Sequence, residues 1–491
     1  GMSIRQFVRE ELVQFSAYDN VRSIPTLEDG FKPSQRKVMY ACFKRRLTTD
    51  AKVAQLVGYV SEHSAYHHGE VSLQQTIVGM AQDYCGASNM NLLVPQGQFG
   101  TRHQGGKDAA SARYIFTRLH ACARLVFRPE DDSILPREQD DGVVIEPTTY
   151  YPGIPMLLVN GGQGIGTGHA CVVHPREVQR VVQCVREWVL GTRDISAFDG
   201  LARPGWRGFR GQVVPAQVAN RWVVRGIAER HEKIVTVTEL PPHVTTQQYK
   251  EMLEQATFLE DVDERVGMST STSTTTSTTT STTTSTTKTK TKTKTIKKKK
   301  KKTQKMSLHV QEYRTYQGDD NVRFEVTLSG NKTEEEDIVR AMGLEVSLPP
   351  ENVTVRFGGR VRKFDDVRHA ACEWCAWRLP LYEKRKEKMV RDAEESVRCI
   401  TERTAFVRAV ADGELQVLNR PRSDVQRNMT EMGMDPSLAR STPVWDLTRE
   451  KVEELLKQSA DIKQTLVSLQ ATSPVDLWIQ DLDDIEAHLQ T

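Results

Sequence analysis

The run Gln98-Phe99-Gly100-Thr101-Arg102 leads through Gly105-Gly106-Lys107-Asp108 into Ala109-Ala110-Ser111-Ala112-Arg113-Tyr114. Its glycines let the backbone come close to another chain, and Arg102, Lys107 and Arg113 are spaced to meet phosphate oxygens. Tyr114 sits between Arg113 and, four residues on, Arg118, an unusual setting for a core aromatic. An unperturbed phenol loses its proton near about pH 10, so it attacks poorly at neutrality unless cations or a base assist. A neighbouring guanidinium gives that help and can hold a phosphate at the same time. On chemistry alone two roles stay open for Tyr114. It is a nucleophile, or a hydroxyl that only hydrogen-bonds a nucleic-acid backbone, the second being the more ordinary.

Working outward, the N-terminal side reads as short helices over 4–14, 33–46, about 52–62 and about 70–84. In the second, Pro33 suits a first turn, and Val38, Met39, Cys42 and Phe43 form an apolar stripe beside Arg36, Lys37, Lys44, Arg45 and Arg46. The turn Ser64-Ala65-Tyr66-His67-His68-Gly69 joins the last two, and helix, turn, helix with basic decoration outlines a helix-turn-helix unit. Many plain helical domains share that outline. Beyond Asn91 come Gly-rich loops and short strand-like runs, among them Pro155 to Asn160, Gly211 to Leu240 and Arg323 to Leu328. From about Asp365 the pattern is helical again. Met389, Ala393, Val397, Ile400 and Val407 line one long charged helix; Val452, Leu455, Leu456, Ile462, Leu466 and Leu469 line another. The polar stretch 411–443 between them suggests an antiparallel coiled-coil arm with a head; two helices packed onto a globular body would give the same pattern.

The 491 residues exceed what one core usually organises, and 38% apolar with 27% charged content excludes a collagen-like or mostly disordered chain. No run of about 18 apolar residues occurs, so no membrane partner is expected, and no signal peptide is visible at Gly1-Met2-Ser3-Ile4. Gly1 ahead of Met2 looks like a cloning scar. Eight scattered cysteines argue against a disulfide scaffold, and the lone pair Cys372-x-x-Cys375 is assigned to packing. The net charge of +3 is a sum of unlike parts. Residues 1–128 hold 16 basic against 10 acidic side chains, whereas 441–491 hold 4 against 10. The Ser/Thr-then-Lys tract 269–305 carries 11 lysines and no acid, so the remainder of the chain is acidic, at −8. That tract has no apolar face to bury and is expected to be a disordered insert, either a solvated surface loop or a nuclear-targeting or nucleic-acid-binding patch.

The Gln98–Tyr114 string resembles the active-site segment of eukaryotic-type (type IIA) DNA topoisomerase II. Further stretches resemble that family in the same order: Arg22-Ser23-Ile24-Pro25, Asp29-Gly30-Phe31-Lys32-Pro33, Gln35-Arg36-Lys37-Val38, Ser64 to Glu70, Pro155-Met156, Asn160-Gly161 and Gly164-Ile165-Gly166-Thr167-Gly168. Glu312-Tyr313-Arg314 and Ser473 to Trp478 extend the likeness over most of the chain outside the insert. Ala112 stands where the family usually has proline, and Val71 where glutamine is common.

The resemblance implies that Tyr114 is the nucleophile and Arg113 its transition-state partner, with Arg22 and His68 around the scissile phosphate and His67 left open. Preorganised cations suit the charge that builds up on a pentavalent phosphorus. With the resemblance, Lys32, Arg36 and Lys37 fit as phosphate contacts to double-stranded DNA, beside the Arg102 and Lys107 that the Gly-rich run itself offers. It also implies Ile165 as a wedge between base pairs, where the residues alone would normally be read as a buried anchor for a tight loop. It further implies an α+β multidomain fold: a winged-helix DNA-cleavage domain over 3–150, a mixed α/β tower over 151–360 containing the insert, and a coiled-coil arm with a dimer gate over 361–491. The activity implied is ATP-dependent duplex passage by a nuclear homodimer, a mitochondrial or viral-factory location staying open. Neither an Asp-x-Asp-x-Asp-Gly string, a Glu-Gly-Asp-Ser string nor a P-loop occurs in the chain. No metal ligand is therefore assigned to it, Mg2+ and ATP being expected on Toprim and ATPase regions outside this breakage-reunion core, which alone should not pass strands. The rival reading is a non-catalytic architectural protein that bends DNA.

Overall fold

The computed structural model describes residues 2–191, 193–218, 221–268, 310–316, 322–329, 338–417 and 419–490; the Ser/Thr/Lys tract at 269–305 lies outside them. The first helical segment runs further than its apolar pattern predicts. Helix α1 (Ile4–Phe7) passes through a π-helical turn (Val8–Leu12) into α2 (Val13–Ser23), which puts Arg22 in a last helical turn instead of a loop. Helix α3 (Pro33–Arg45) starts on Pro33 and buries the expected stripe of Val38, Met39, Cys42 and Phe43. After the short strand β1 (Ala51–Lys52), α4 (Val53–His63) buries Val53, Leu56, Val57 and Val60. Helix α5 (Glu70–Ala81) stops three residues short of Tyr84 because Gln82 takes an extended ψ of 132°. Strands β2 (Leu93–Gln96) and β3 (Phe116–Leu119) complete a three-stranded antiparallel sheet in the order β1-β3-β2, so Tyr114 lies at the entrance to the central strand.

The chain continues through α6 (Ala121–Val126), the hairpin of β4 (Arg137–Asp140) and β5 (Val143–Pro147), α7 (Met156–Asn160), and the hairpin of β6 (Gly162–Gly166) and β7 (His169–Val173), to α8 (Val178–Leu190). A second unit follows. Strands β8 (Gln212–Pro215), β9 (Trp222–Arg225), β10 (Ile227–His231) and β11 (Ile234–Glu239), helix α9 (Thr246–Met268), strands β12 (Val310–Thr315) and β13 (Phe324–Leu328), helix α10 (Ile338–Ala341) and strand β14 (Glu345–Ser347) build two antiparallel sheets, ordered β10-β11-β13-β12 and β14-β9-β8. Their one-sided burial, alternating in β11 and β13, is what a half-solvated antiparallel sheet requires.

The hairpin of β15 (Thr354–Phe357) and β16 (Arg360–Lys363) returns the chain to the first unit, and α11 (Val367–Ala411) leaves it as a 45-residue helix. Helices α12 (Arg422–Glu431) and α13 (Leu438–Ser441) form a head with its own core of Phe406, Val407, Leu415, Val425, Met429, Val452 and Leu455. Helix α14 (Arg449–Ala471) runs back antiparallel to α11, with Arg403 bonded to Asp446 at 2.9 Å near the head and Lys386 to the Gln470 carbonyl at 3.0 Å near the base. The amphipathic pair is thus an arm, although Leu456 points outward from the expected stripe.

Helix α15 (Pro474–Gln490) closes the largest core, which joins residues 24–201 with 353–382 and 477–485. Trp478 stacks on Tyr382 with ring centroids 5.0 Å apart and bonds the Gly153 carbonyl at 3.0 Å; Trp374 bonds the Glu28 carbonyl at 2.9 Å. Around these aromatics sits a buried ionic knot. Arg378 meets Asp131 at 2.6 Å, while Asp481 takes Arg385 at 2.7 Å and Arg128 at 3.0 Å. All eight cysteines are free, and Cys375 is buried in this core, a packing role in keeping with its isolation from any second pair.

The long helix begins on Asp366, whose carboxylate accepts from the backbone N–H groups of Arg368 and His369 at 2.9 and 3.0 Å. Burial works against its charge, but these bonds and the Arg368 guanidinium hold the carboxyl down to about 2. The folded-state value lies below the ordinary one, so the stabilisation is complete above about pH 4 and is lost as pH falls towards about 2. Asp366→Ala should therefore cost about 1 kcal/mol near neutrality. In urea titrations the gap between variant and parent should close at about pH 2.

Candidate nucleic-acid interface

The Gly-rich loop before Tyr114 is built to hold a backbone turn rigid. Gly100 has φ +104°, and a Cβ there would lie 2.6 Å from Gly106 Cα; one on Gly106 would lie 2.4 Å from Gln82 Nε2. Gly100 thus faces backbone that cannot give way, and the positive φ at both places strains any side chain. Gln82 donates to the Phe99 and Gly106 carbonyls at 2.9 and 3.2 Å, and Asp108 accepts from the Thr101 N–H and hydroxyl at 2.9 and 2.6 Å. Beyond the loop the side chains sort cleanly. Ala112 and Ile115 are buried, whereas Arg113 and Tyr114 face out, Tyr114 being 70% exposed with the Arg113 guanidinium 6.0 Å from its ring centre. Ala112, which lacks the stiffening a proline would bring, is clamped by its carbonyl accepting from Ala54 N–H at 3.1 Å. Lys107 is exposed on the same loop.

A separate cleft of about 1010 Å³ gathers Arg22, Lys32, Lys37, His68 and Ile165 from α2, α3, the α4–α5 turn and the β6–β7 hairpin. Arg22 and Lys32 line it with no carboxylate in ion-pair range among the described residues. Lys37 is half-buried, tied to Glu146 at 2.6 Å and to the Ser64 carbonyl. His68 bonds the Tyr18 hydroxyl at 3.0 Å through Nε2. Burial, then Arg22, His67 and Lys37, push its imidazole below the ordinary range, so at neutral pH it is a neutral hydrogen-bonding group. His67 is more exposed and faces Asp140 at 3.3 Å. Ile165 stands in the β6 strand of the hairpin, 84% exposed, which removes the buried-anchor alternative. Gly164 and Gly166 let that strand press on α2, since a Cβ on either would fall within 2.2 Å of Ser23 or Asn20.

Two expected phosphate contacts are engaged in buried ion pairs. Arg36 is buried, its Nε and Nη2 on the two oxygens of Asp29 at 2.7 and 3.0 Å. Burial alone would raise the Asp29 carboxyl, yet Arg36, Thr26 and the Tyr150 N–H hold it below the usual range. Arg102 is buried against Glu239 and the Leu240 carbonyl, pinning the Gly-rich loop to the second unit. Both guanidinia are committed to carboxylates and position their neighbours, although Arg36 still forms part of the cleft wall. Arg113 and Tyr114 do not line the cleft that holds Arg22, Lys32 and His68.

Arg356, from β15, is a cleft residue that no motif in the sequence marks. It lines the same cavity, 334 residues from Arg22, and bridges to Thr26 through its backbone. Its only side-chain partner among the described residues is the Val21 carbonyl at 3.4 Å, and burial followed by Arg36 lowers its pKa. Three cations without carboxylates in ion-pair range among the described residues, Arg22, Lys32 and Arg356, thus converge on one cavity whose wall also carries Glu28, Glu138, Asp140 and Glu146, and their free donors suit an entering anion.

Comparison with known proteins agrees in extent. The family model for the A-type chain of DNA gyrase/topoisomerase IV matches residues 22–304 and 265–483. DNA topoisomerase 2-alpha of Cricetulus griseus is 32% identical over 524 residues, covering 98% of this chain and 31% of that protein. DNA topoisomerase 2 of Plasmodium falciparum (isolate K1 / Thailand) is 31% identical over 533 residues, covering 100% of this chain and 34% of its own length. The chain spans about a third of the length of these relatives. The crystal structure of the Plasmodium falciparum topoisomerase II DNA-binding, cleavage and re-ligation domain superposes with a TM-score of 0.81 at 30% identity, over 99% of this chain and 64% of that one. With the glycine-framed Tyr114 loop and the cationic cleft both inside the matched span, the chain belongs to the DNA gyrase/topoisomerase IV family, on the side of its A-type chains.

Proposed function

We propose that this chain is the DNA-binding and cleavage core of a type II DNA topoisomerase. The observation that carries the reading is the exposed Arg113–Tyr114 pair on a loop whose glycines take positive φ. The Tyr114 phenolic oxygen would bond to a phosphorus of the duplex while the bond to the 3′ oxygen breaks. The 5′-phosphotyrosyl link keeps the bond energy, and the released 3′ hydroxyl reverses the step on religation. Arg113 would stabilise the charge on the non-bridging oxygens. Incubation with Mg2+ and supercoiled DNA, with a relative's acidic metal-binding segment supplied, followed by denaturation, tests this directly through a covalent adduct.

Because Tyr114 and the cleft stand apart within one chain, a homodimer is the natural way to serve two opposed strands. Each copy would contribute both features, and the arm's head, where Trp445 is 92% exposed, supports a second contact between copies. Neither Mg2+ nor ATP is placed on these residues. Among the described residues the only converging group of metal-binding side chains is His/Cys in character, which does not suit Mg2+, a cation of oxygen ligands. Both would be held by other parts of the full-length enzyme, for which we propose a nuclear location. No helix among the described residues is long and apolar enough to cross a membrane. In domain terms we read a winged-helix cleavage unit that takes in α7 and α8 as well as residues 3–150, since they share its core, then a tower, then the arm and gate.

Two further outcomes follow. An apolar wedge offsets unstacking, a cost of a few kcal/mol per step, through the contacts that a bend allows. Ile165→Ala should therefore lower energy transfer between dyes at the ends of a short bound duplex; unchanged transfer removes the wedge role. Arg356→Ala should weaken duplex binding roughly 10-fold. It should also make the log–log salt slope shallower by about one. An unchanged slope would mean that Arg356 meets no phosphate.

A further inference from the structure

Away from the cleft, three side chains of metal-binding type come together from opposite ends of the chain. His120 and Cys122 stand at the start of α6, and His488 stands in the last turn of α15. One donor atom from each lies within 4.8 Å of the others. His120 Nδ1 is 3.0 Å from Cys122 Sγ, and the two imidazole rings meet edge to face with centres 5.5 Å apart. From these positions we propose that His120, Cys122 and His488 bind a zinc-class transition-metal dication, clipping the C-terminal helix to the cleavage unit.

Ligand chemistry favours such an ion. One thiolate and two neutral imidazoles form a borderline-soft set that selects zinc, cobalt or copper over magnesium and calcium. Cys122 is buried and both histidines are half-buried, so three protein ligands leave one side where water can complete a tetrahedron. Bond lengths of about 2.3 Å to sulfur and about 2.0–2.1 Å to nitrogen require donors roughly 3.5 Å apart at tetrahedral angles. The present spread is a little tight on one edge and wide on another, a mismatch on the scale of side-chain rotation. Without metal, His120 Nδ1 accepts from the Cys122 backbone N–H at 3.2 Å as the helix cap, a bond that coordination through Nδ1 would displace.

The surroundings set a cost, since Arg118 and Arg207 add positive charge beside the site. Metal binding would release the thiol proton, and the thiolate would offset part of the dication's charge beside Arg118 and Arg207. Nearby groups are orderly: the Cys122 thiol sits 3.5 Å from the Asn91 carbonyl, and Asn91 Oδ1 is held by Arg207 at 3.0 Å.

The test is Co2+ titration of the metal-stripped 491-residue chain, read by absorbance. The expected result is a thiolate-to-cobalt charge-transfer band with tetrahedral d–d bands, saturating at one equivalent and bleached by Zn2+ but not by Mg2+. Cys122→Ser should abolish the charge-transfer band. His488→Ala should weaken binding more than about 100-fold, beyond the roughly 10- to 100-fold cost of outer-shell changes. His120→Asn should do the same while keeping a good helix cap, and circular dichroism of each variant checks the fold. Absence of the band in the parent, its survival in Cys122→Ser, or parental affinity in both histidine variants would overturn the proposal. None of these readouts depends on DNA, so the result stands apart from the cleavage reading.

Discussion

Tyr114→Phe is expected to abolish the denaturant-stable protein–DNA adduct, lowering trapped complex by more than about four orders of magnitude. Binding of the same duplex should change less than about threefold, because one exposed hydroxyl is lost while the ring and Arg113 remain. The side chain is 70% exposed and makes no packing contact that the fold requires, so the stability of the variant should match the parent. Adduct counted by gel after protease digestion decides the matter. An equal yield from parent and variant, whether of adduct or of none, would remove Tyr114 as nucleophile and leave a protein that binds and bends DNA. Arg113→Ala should fall between: binding nearly kept, cleavage lowered by roughly 10²–10³, the usual cost of one transition-state donor.

Asp131→Ala should be the most damaging single change to stability, at about 3–5 kcal/mol. Arg378 is wholly buried, and its guanidinium lies between the Asp131 carboxylate at 2.6 Å, the Pro152 carbonyl at 2.9 Å and the Tyr382 ring, 4.0 Å away. Deleting the acid leaves that cation buried beside one carbonyl and a ring. Burial itself pushes the Asp131 carboxyl up, with Arg378 and Arg385 pulling it back, so the pair holds geometry more than it adds stability. Removing both charges with Asp131→Leu and Arg378→Met should accordingly recover most of the loss. Urea midpoints of the two singles and the double measure this, and a double no better than Asp131→Ala would show that the charges themselves are needed.

Local chemistry is legible in the sequence; distant partners are not. The glycines ahead of Tyr114 announce a turn in positive-φ backbone, and the outward Arg113–Tyr114 pair needs only the burial of Ala112 and Ile115 on either side. The stripes of α3, α4 and the two arm helices follow from spacing of apolar residues and survive in the fold. Arg36 and Arg102 look identical in sequence to surface cations, because what buries them is a carboxylate. For Arg36 it lies seven residues back, in a motif that reads as a turn; for Arg102 it lies 137 residues on, in another sheet. Arg356 joins the cleft only because a hairpin returns after the whole second unit, and no periodicity encodes that return. His120, Cys122 and His488 are brought together by the docking of the final helix, 366 residues beyond Cys122.

Helix α11 has its first turns in the core beneath the cleft, where Trp374 touches the Glu28 carbonyl and Arg378 touches Asp131, and its last turns in the distal head. Forty-five residues at about 1.5 Å each make a rod of about 68 Å. A tilt of only about 5° at the base would carry the far end roughly 6 Å sideways. Pro380 cannot close its backbone hydrogen bond, so the rod is softest two residues past the Arg378 anchor. The chain therefore has a built-in gear ratio: sub-ångström repacking around Glu28 and Asp131 becomes a displacement several times larger at the head.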